Sequence, residues 1–117
     1  MVEDIHLHLE KTAKSLLKVD LVEIISAAKV LEYARQQGKF VWLIGNGGSA
    51  STASHFANDL EKCCGIRAIA LADSVPTTTA YGNDDGWHKM FSRALDGYVS
   101  EGDVLVAFSC SGMSGNI

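Results

Sequence analysis

Five consecutive apolar residues, Phe40-Val41-Trp42-Leu43-Ile44, break off into Gly45-Asn46-Gly47-Gly48-Ser49, and beyond that point the apolar positions change their spacing. An unbroken apolar run opened by β-favouring aromatics predicts a strand buried on both faces. The glycines after it supply the positive φ angles and close backbone approach of a sharp turn. Then Ala53, Phe56, Ala57 and Leu60 recur at helical spacing, with Ser49, Thr52, His55 and Asp59 on another face, predicting a helix that starts at the turn.

Upstream, Ile5, Leu9, Ala13, Leu16 and Leu17 lie on one helical stripe over residues 3–17. Asp20, with Glu23 three residues on, caps a second helix carrying Ile24, Ile25, Ala28, Leu31 and Ala34, which Gly38 ends. Downstream, a short polar break holds Cys63, Cys64 and Gly65, and residues 67–72 form an apolar strand closed by Asp73 and Ser74. The single proline, Pro76, opens a threonine-rich stretch that leads to a turn and helix cap over residues 81–86. Trp87, Phe91, Ala94, Leu95 and Tyr98 predict a further helix ending near Gly102, and residues 104–108 a third strand. Strands alternating with helices imply a parallel α/β sheet. The helical pair over residues 1–38 exceeds what a three-strand sheet needs for cover, so its spare apolar face is read either as a subunit interface or as packing on the sheet.

At 117 residues the chain is expected to form one domain with a single core, and with 47% apolar residues it is expected to fold rather than stay disordered. A net charge of -4 without a basic run argues against direct nucleic-acid binding. Three cysteines without paired spacing suit a reduced cytosolic protein in which they serve as small packing residues. No signal-peptide pattern opens the chain and no apolar run reaches bilayer length, so a cytoplasmic location without membrane contact is expected. His6, His8 and His88 read as surface residues.

Two stretches carry chemistry. The helix start after residue 47 offers unpaired backbone N–H groups and a positive dipole end, with the hydroxyls of Ser49, Ser51 and Thr52 beside them, which suits a phosphate or sugar hydroxyls. A plain strand-to-helix turn capped by Ser49 is the alternative. Directly after the third strand, Ser109-Cys110-Ser111-Gly112-Met113-Ser114-Gly115-Asn116 forms a second loop of the kind that wraps an anion in amides and hydroxyls. Gly45 to Ala50 also fits G-x-G-x-x-A, with Asp73 where a dinucleotide enzyme holds ribose. The polar face of the helix, the two leading helices and the second serine loop are features that a pyrophosphate site does not need, so no nucleotide is expected.

Taken in order, Gly45-Asn46-Gly47-Gly48-Ser49, His55-Phe56-Ala57 with Leu60, Gly82-Asn83-Asp84, Glu101-Gly102-Asp103-Val104-Leu105 and Ser109-x-Ser111-Gly112-x-Ser114-x-Asn116 make a pattern far more specific than a glycine loop. The chain resembles the sugar isomerase (SIS) domain, and within it the phosphoheptose isomerase group and its relative the DnaA initiator-associating protein. The resemblance implies a flavodoxin-like, three-layer parallel sheet of strand order 2-1-3, corresponding to the N-terminal half of that domain, with both polar loops opening into one crevice.

The resemblance further implies a sugar-phosphate ligand, sedoheptulose 7-phosphate, converted from ketose to aldose through an enediol. Ser109, Ser111 and Ser114 match family positions that hold the phosphate, with Cys110 in place of the usual threonine; Asn46, Gly47, Gly48, Ser49, Asn83 and Asp84 match the loop positions around the sugar. Asp59 stands where the family has its catalytic glutamate, one methylene shorter, and the family's partner histidine lies beyond Ile117. The chain alone is therefore expected to bind sugar phosphate without turning it over. His55 and Asp59, four residues apart, match two zinc ligands of some members, the bland reading being a polar pair without metal. A dimer or tetramer is expected, its surfaces serving in the second group as protein-binding sites.

Overall fold

A computed structural model describes residues 1–117. Helices α1 (Val2–Leu16) and α2 (Leu21–Gln36) precede strand β1 (Phe40–Gly45), helix α3 (Gly48–Cys64), strand β2 (Arg67–Ala70), helix α4 (Val75–Asp84), helix α5 (Met90–Asp96) and strand β3 (Val104–Phe108). Short 3₁₀ turns at Leu71–Asp73 and Trp87–Lys89 lead into α4 and α5. The three strands are parallel in the order β2-β1-β3, as the resemblance implies.

The two-residue period of β1 divides the core into two layers. Val41 and Leu43 face α2 and α3, packing with Ala34, Ala53, Ala57 and Leu60. Trp42 and Ile44 face the other way, against Leu71 and the α5 residues Met90, Phe91 and Ala94. A strand covered on both faces has no reason to alternate polar and apolar residues. The outer strands are covered mainly on one face: β2 buries Ala68 and Ala70 and exposes Arg67 and Ile69.

Several predicted boundaries move. The polar stretch after Leu60 is not a break, because α3 continues through Cys63 and Cys64 to a left-handed Gly65 at φ 64°, where Ile66 N–H donates back to Leu60 O. All three cysteines are exposed, which overturns their reading as packing residues. The threonine-rich stretch is helix α4, started by Ser74, whose hydroxyl accepts from Thr77 N–H, with Pro76 in the first turn. The helix expected from Trp87 to Tyr98 begins as a 3₁₀ turn and ends at Asp96, leaving Tyr98 to stack on Trp42 at 5.5 Å between ring centroids.

The N-terminal pair splits in behaviour. Helix α2 lies against the sheet through buried Ala34 and half-buried Leu31, whereas α1 buries no residue at all. The radius of gyration, 16.5 Å, consequently exceeds the roughly 13 Å of a compact chain of this length. No helix is long and apolar enough to cross a membrane.

Candidate functional site

The crevice is built at the carboxyl ends of β1 and β3, which are hydrogen-bonded neighbours with Gly45 in register with Phe108. Chain leaving β1 turns into α3 on one face, and chain leaving β3 starts beside it. This is the switch point at which open α/β sheets bind ligands.

Gly45 makes the first turn possible through space. A Cβ there would lie 2.5 Å from the backbone oxygen of Ser49, so only glycine lets the first turn of α3 fold back onto the end of β1. Gly47, at φ 53°, is the N-cap residue, and Ser49 and Ala50 donate their N–H groups to Asn46 O at 2.9 and 3.4 Å. Ser49 is therefore not the cap. Its hydroxyl instead sits 3.9 Å from the Cys110 thiol across the crevice.

The serine loop braces itself. Ser109 Oγ accepts from Gly112 N–H at 3.0 Å and Ser111 Oγ from Met113 N–H at 3.2 Å, with Gly112 at φ 65°. A hydroxyl that accepts through a lone pair keeps its O–H free to donate, so both serines retain a donor for an anion. The loop is anchored from below by an edge-to-face contact of Phe108 with Phe56 of α3, ring centroids 5.9 Å apart.

A reciprocal amide pair ties the two loops together. Asn46 Nδ2 donates to Asn116 Oδ1 at 2.8 Å and Asn116 Nδ2 donates back to Asn46 Oδ1 at 2.9 Å. Asn116 is the one buried polar residue of the chain, 7% exposed, and this reciprocal pair offsets part of the cost of removing its amide from water. The sequence shows Asn116 within a motif but gives it no task; burial reveals that task. Asn46, read from the resemblance as a sugar contact, spends half of its amide on this tie.

The remaining candidates are not all brought to one point. His55 Nε2 and Asp59 Oδ2 are 3.3 Å apart on α3 and line, with Phe108 and the β3 residues before it, an open groove of about 940 Å³. Asn83 and Asp84 lie exposed in the last turn of α4, Asn83 Nδ2 donating to Asp84 Oδ1 at 2.7 Å, and neither is bonded to a loop residue. Arg93 holds this end of α4 by bonding Asp85 at 3.1 Å and Asp96 at 3.0 Å, and the same two carboxylates raise its pKa. Asp73, the ribose candidate of the dinucleotide reading, accepts from Ser54 Oγ at 2.9 Å. His88 is exposed as expected, yet its ring rests against the serine loop: a methyl group on Gly115 would lie 3.1 Å from His88 Nδ1.

As a metal site the pair falls short. His55 and Asp59 offer two donors, and no group of three His, Cys, Asp or Glu side chains gathers anywhere in the structure, whereas zinc sites take three or four protein ligands.

The fold and crevice define a flavodoxin-like α/β domain with two polar loops side by side at the carboxyl ends of β1 and β3. The sequence profile of the SIS domain matches residues 8–117, and the chain belongs to that family. It is similar to the phosphoheptose isomerase of Geotalea uraniireducens, at 37% identity over all of this chain and 66% of the relative, and to that of Burkholderia pseudomallei, at 44% identity over 69% of this chain and 44% of the relative. Among solved structures it is similar to the phosphoheptose isomerase from Neisseria gonorrhoeae, with a TM-score of 0.90 and 31% identity over 97% of this chain and 63% of that one. It is equally similar to the one from Francisella tularensis, with a TM-score of 0.91 and 30% identity over 98% and 63%. The chain thus spans less than two thirds of the length of these relatives.

Proposed function

We propose that the crevice binds a phosphorylated sugar in the manner of a phosphoheptose isomerase, with sedoheptulose 7-phosphate as ligand. The observation that carries this reading is the Asn46–Asn116 tie, which sets a helix start and a loop of free hydroxyl donors side by side. Ser109, Ser111 and Ser114, with the Cys110 thiol beside them, take the phosphate, and Gly47, Gly48 and Ser49 face the sugar. Donors aimed by backbone and hydroxyl suffice for an anion without a lysine. Asn83 and Asp84 complete the sugar side once a ligand bridges α4 and the loops.

Isomerisation to D-glycero-D-manno-heptose 7-phosphate moves a proton from C1 of the ketose to C2 through an enediol, while a second proton passes between the two oxygens. Asp59 is the α3 carboxylate that lines the groove, and the role of base falls to it. A carboxylate one methylene short sits about an ångström from its intended reach, which can cost on the order of a hundredfold in rate. Turnover is proposed for a site completed by the part of the family's length that this chain does not span; zinc would find in His55 and Asp59 only half of its ligands.

Calorimetric titration with sedoheptulose 7-phosphate and with unphosphorylated sedoheptulose tests the reading. Binding of the phosphate ester alone, lost in Ser111→Ala/Ser114→Ala, is the expected result. Equal binding of both sugars would remove the phosphate site.

A second reading is that the chain is a noncatalytic interaction protein resembling the DnaA initiator-associating protein. The wholly exposed apolar stripe of α1 and the aspartate at position 59 favour it. Following aldose formation from sedoheptulose 7-phosphate by the chain completed to the family's full length separates the two, since only the first reading allows any product.

A further inference from the structure

We infer that His88 is a positioning residue for the serine loop, clamping it at Gly115 next to the Asn46–Asn116 pair. Three consecutive residues at the end of that loop meet three different parts of the fold. Asn116 pairs with Asn46 of the glycine turn, Ile117 packs on the core layer of Trp42, Ile44, Met90 and Phe91, and Gly115 comes so near the imidazole of His88 that a Cβ on it would lie 3.1 Å from Nδ1. The first two contacts fix the loop toward β1 and toward the sheet. His88 supplies the third side.

The ring stands on firm ground although it is exposed. It belongs to the 3₁₀ turn Trp87–Lys89, and the next two residues, Met90 and Phe91, are 1% and 3% exposed in the core. Gly115 does not occupy the left-handed region, and the one tight approach a Cβ there would make is to His88 Nδ1 at 3.1 Å, with Cε1 at an ordinary contact distance of 3.7 Å. Gly115 sits in the turn that Ile117 N–H closes onto Ser114 O at 3.1 Å, and this turn brings it beside the imidazole. The consequence reaches the ligand: His88 follows Asn83 and Asp84 by only a few residues, so a phosphate held by the serine loop and a sugar held by the end of α4 are coupled through this contact.

The inference deepens the sugar-phosphate reading and rests on it for the binding measurement, but the clamp itself can be tested without any ligand. Without any ligand, amide hydrogen exchange of residues 109–117 reports how often the loop opens. His88→Ala is expected to raise that rate several-fold, His88→Gln to restore it to near the parent value, and Gly115→Ala to raise it about twofold by displacing the ring. Adding Gly115→Ala to His88→Ala should then cause no further rise, because the crowded atoms are gone; such non-additivity marks direct contact. In titrations with sedoheptulose 7-phosphate, His88→Ala should weaken binding five- to tenfold with the thermal midpoint unchanged. Equal exchange rates of the loop amides in parent and His88→Ala, or equal sugar-phosphate affinity in the two, overturn the inference. A parent that binds no sugar phosphate while the exchange pattern holds overturns the ligand reading and leaves the clamp standing.

Discussion

Asp103 ties strand β1 to the turn before β3 through one carboxylate, accepting from Phe40 N–H at 2.9 Å, Trp42 Nε1–H at 3.0 Å and Ser100 N–H at 3.0 Å. The indole bond chiefly, aided by the two backbone N–H groups and nearby Lys39, holds its pKa below the usual carboxylate value, against the opposing pull of burial. A carboxyl whose pKa is lowered on folding stabilises the native state above its unfolded pKa, and that contribution is lost as pH falls through the lowered folded value. Asp103→Asn should therefore cost about 1–3 kcal/mol at pH 7, measured by urea unfolding with tryptophan emission. The gap to the parent should narrow as pH falls below the ordinary carboxylate range. A constant gap across that range would show that the charge contributes nothing. His55 and Asp59 give a sharper residue-level outcome: with two donors and none gathered nearby, the chain should emerge from a desalting column carrying far less than one zinc per chain. Stoichiometric zinc, measured by elemental analysis, would mean that a further ligand set exists.

Elements were legible where one physical demand ruled the sequence and illegible where several competed. Strand β1 is covered on both faces and reads as an apolar block, and α3 buries the stripe Ala53, Ala57 and Leu60 that its spacing shows. Helix α4 escaped because Pro76, three threonines and Gly82 make it a poor helix former on propensity alone. What holds it is a cap, Ser74, and the packing of Tyr81 on the Trp42 core layer, while the threonine hydroxyls are satisfied by bonding back along the helix, Thr78 Oγ1 to Ser74 O at 2.7 Å and Thr79 Oγ1 to Val75 O at 2.8 Å. Ser74→Ala should cost about 1 kcal/mol, with amide exchange accelerating first in α4. Uniform acceleration across the chain would mean that the cap stabilises nothing local. The site shows the same division. Its two loops were legible from glycine and serine, while the Asn46–Asn116 tie and the His88 contact join residues far apart in sequence, which spacing cannot register. At the root of α3, Gly45→Ala would drive a methyl into backbone at 2.5 Å. Such overpacking should cost about 1–3 kcal/mol, and sugar-phosphate binding should fall with it, since the displaced first turn is one wall of the crevice.

At the scale of the molecule the unanswered surface is the N-terminal pair. Helix α1 leaves Ile5, Leu9 and Leu16 between 55% and 69% exposed, and on α2 Ile24, Ile25 and Val30 remain about half exposed. Isolated apolar residues on a surface need no explanation, but a stripe along two successive helices is the signature of a face that another surface covers. A helix of fifteen residues with no buried side chain has little to keep it folded, because helices this short are marginal in water unless packed. Assembly of two or more copies through α1 and α2 satisfies both requirements at once. Multi-angle light scattering across a hundredfold range of concentration should accordingly give a mass above that of one chain, falling on dilution. Leu9→Glu/Leu16→Glu places charges in the covered stripe, and removing a charge from water without a partner is costly enough to drive the copies apart. The variant should run as a single chain and lose helical circular dichroism in proportion to α1, while the Trp42 environment, built from the sheet and α5, stays unchanged. A parent that is monomeric at every concentration with α1 fully helical would require α1 to be stabilised within its own chain, and would transfer the apolar stripe from self-assembly to some other partner.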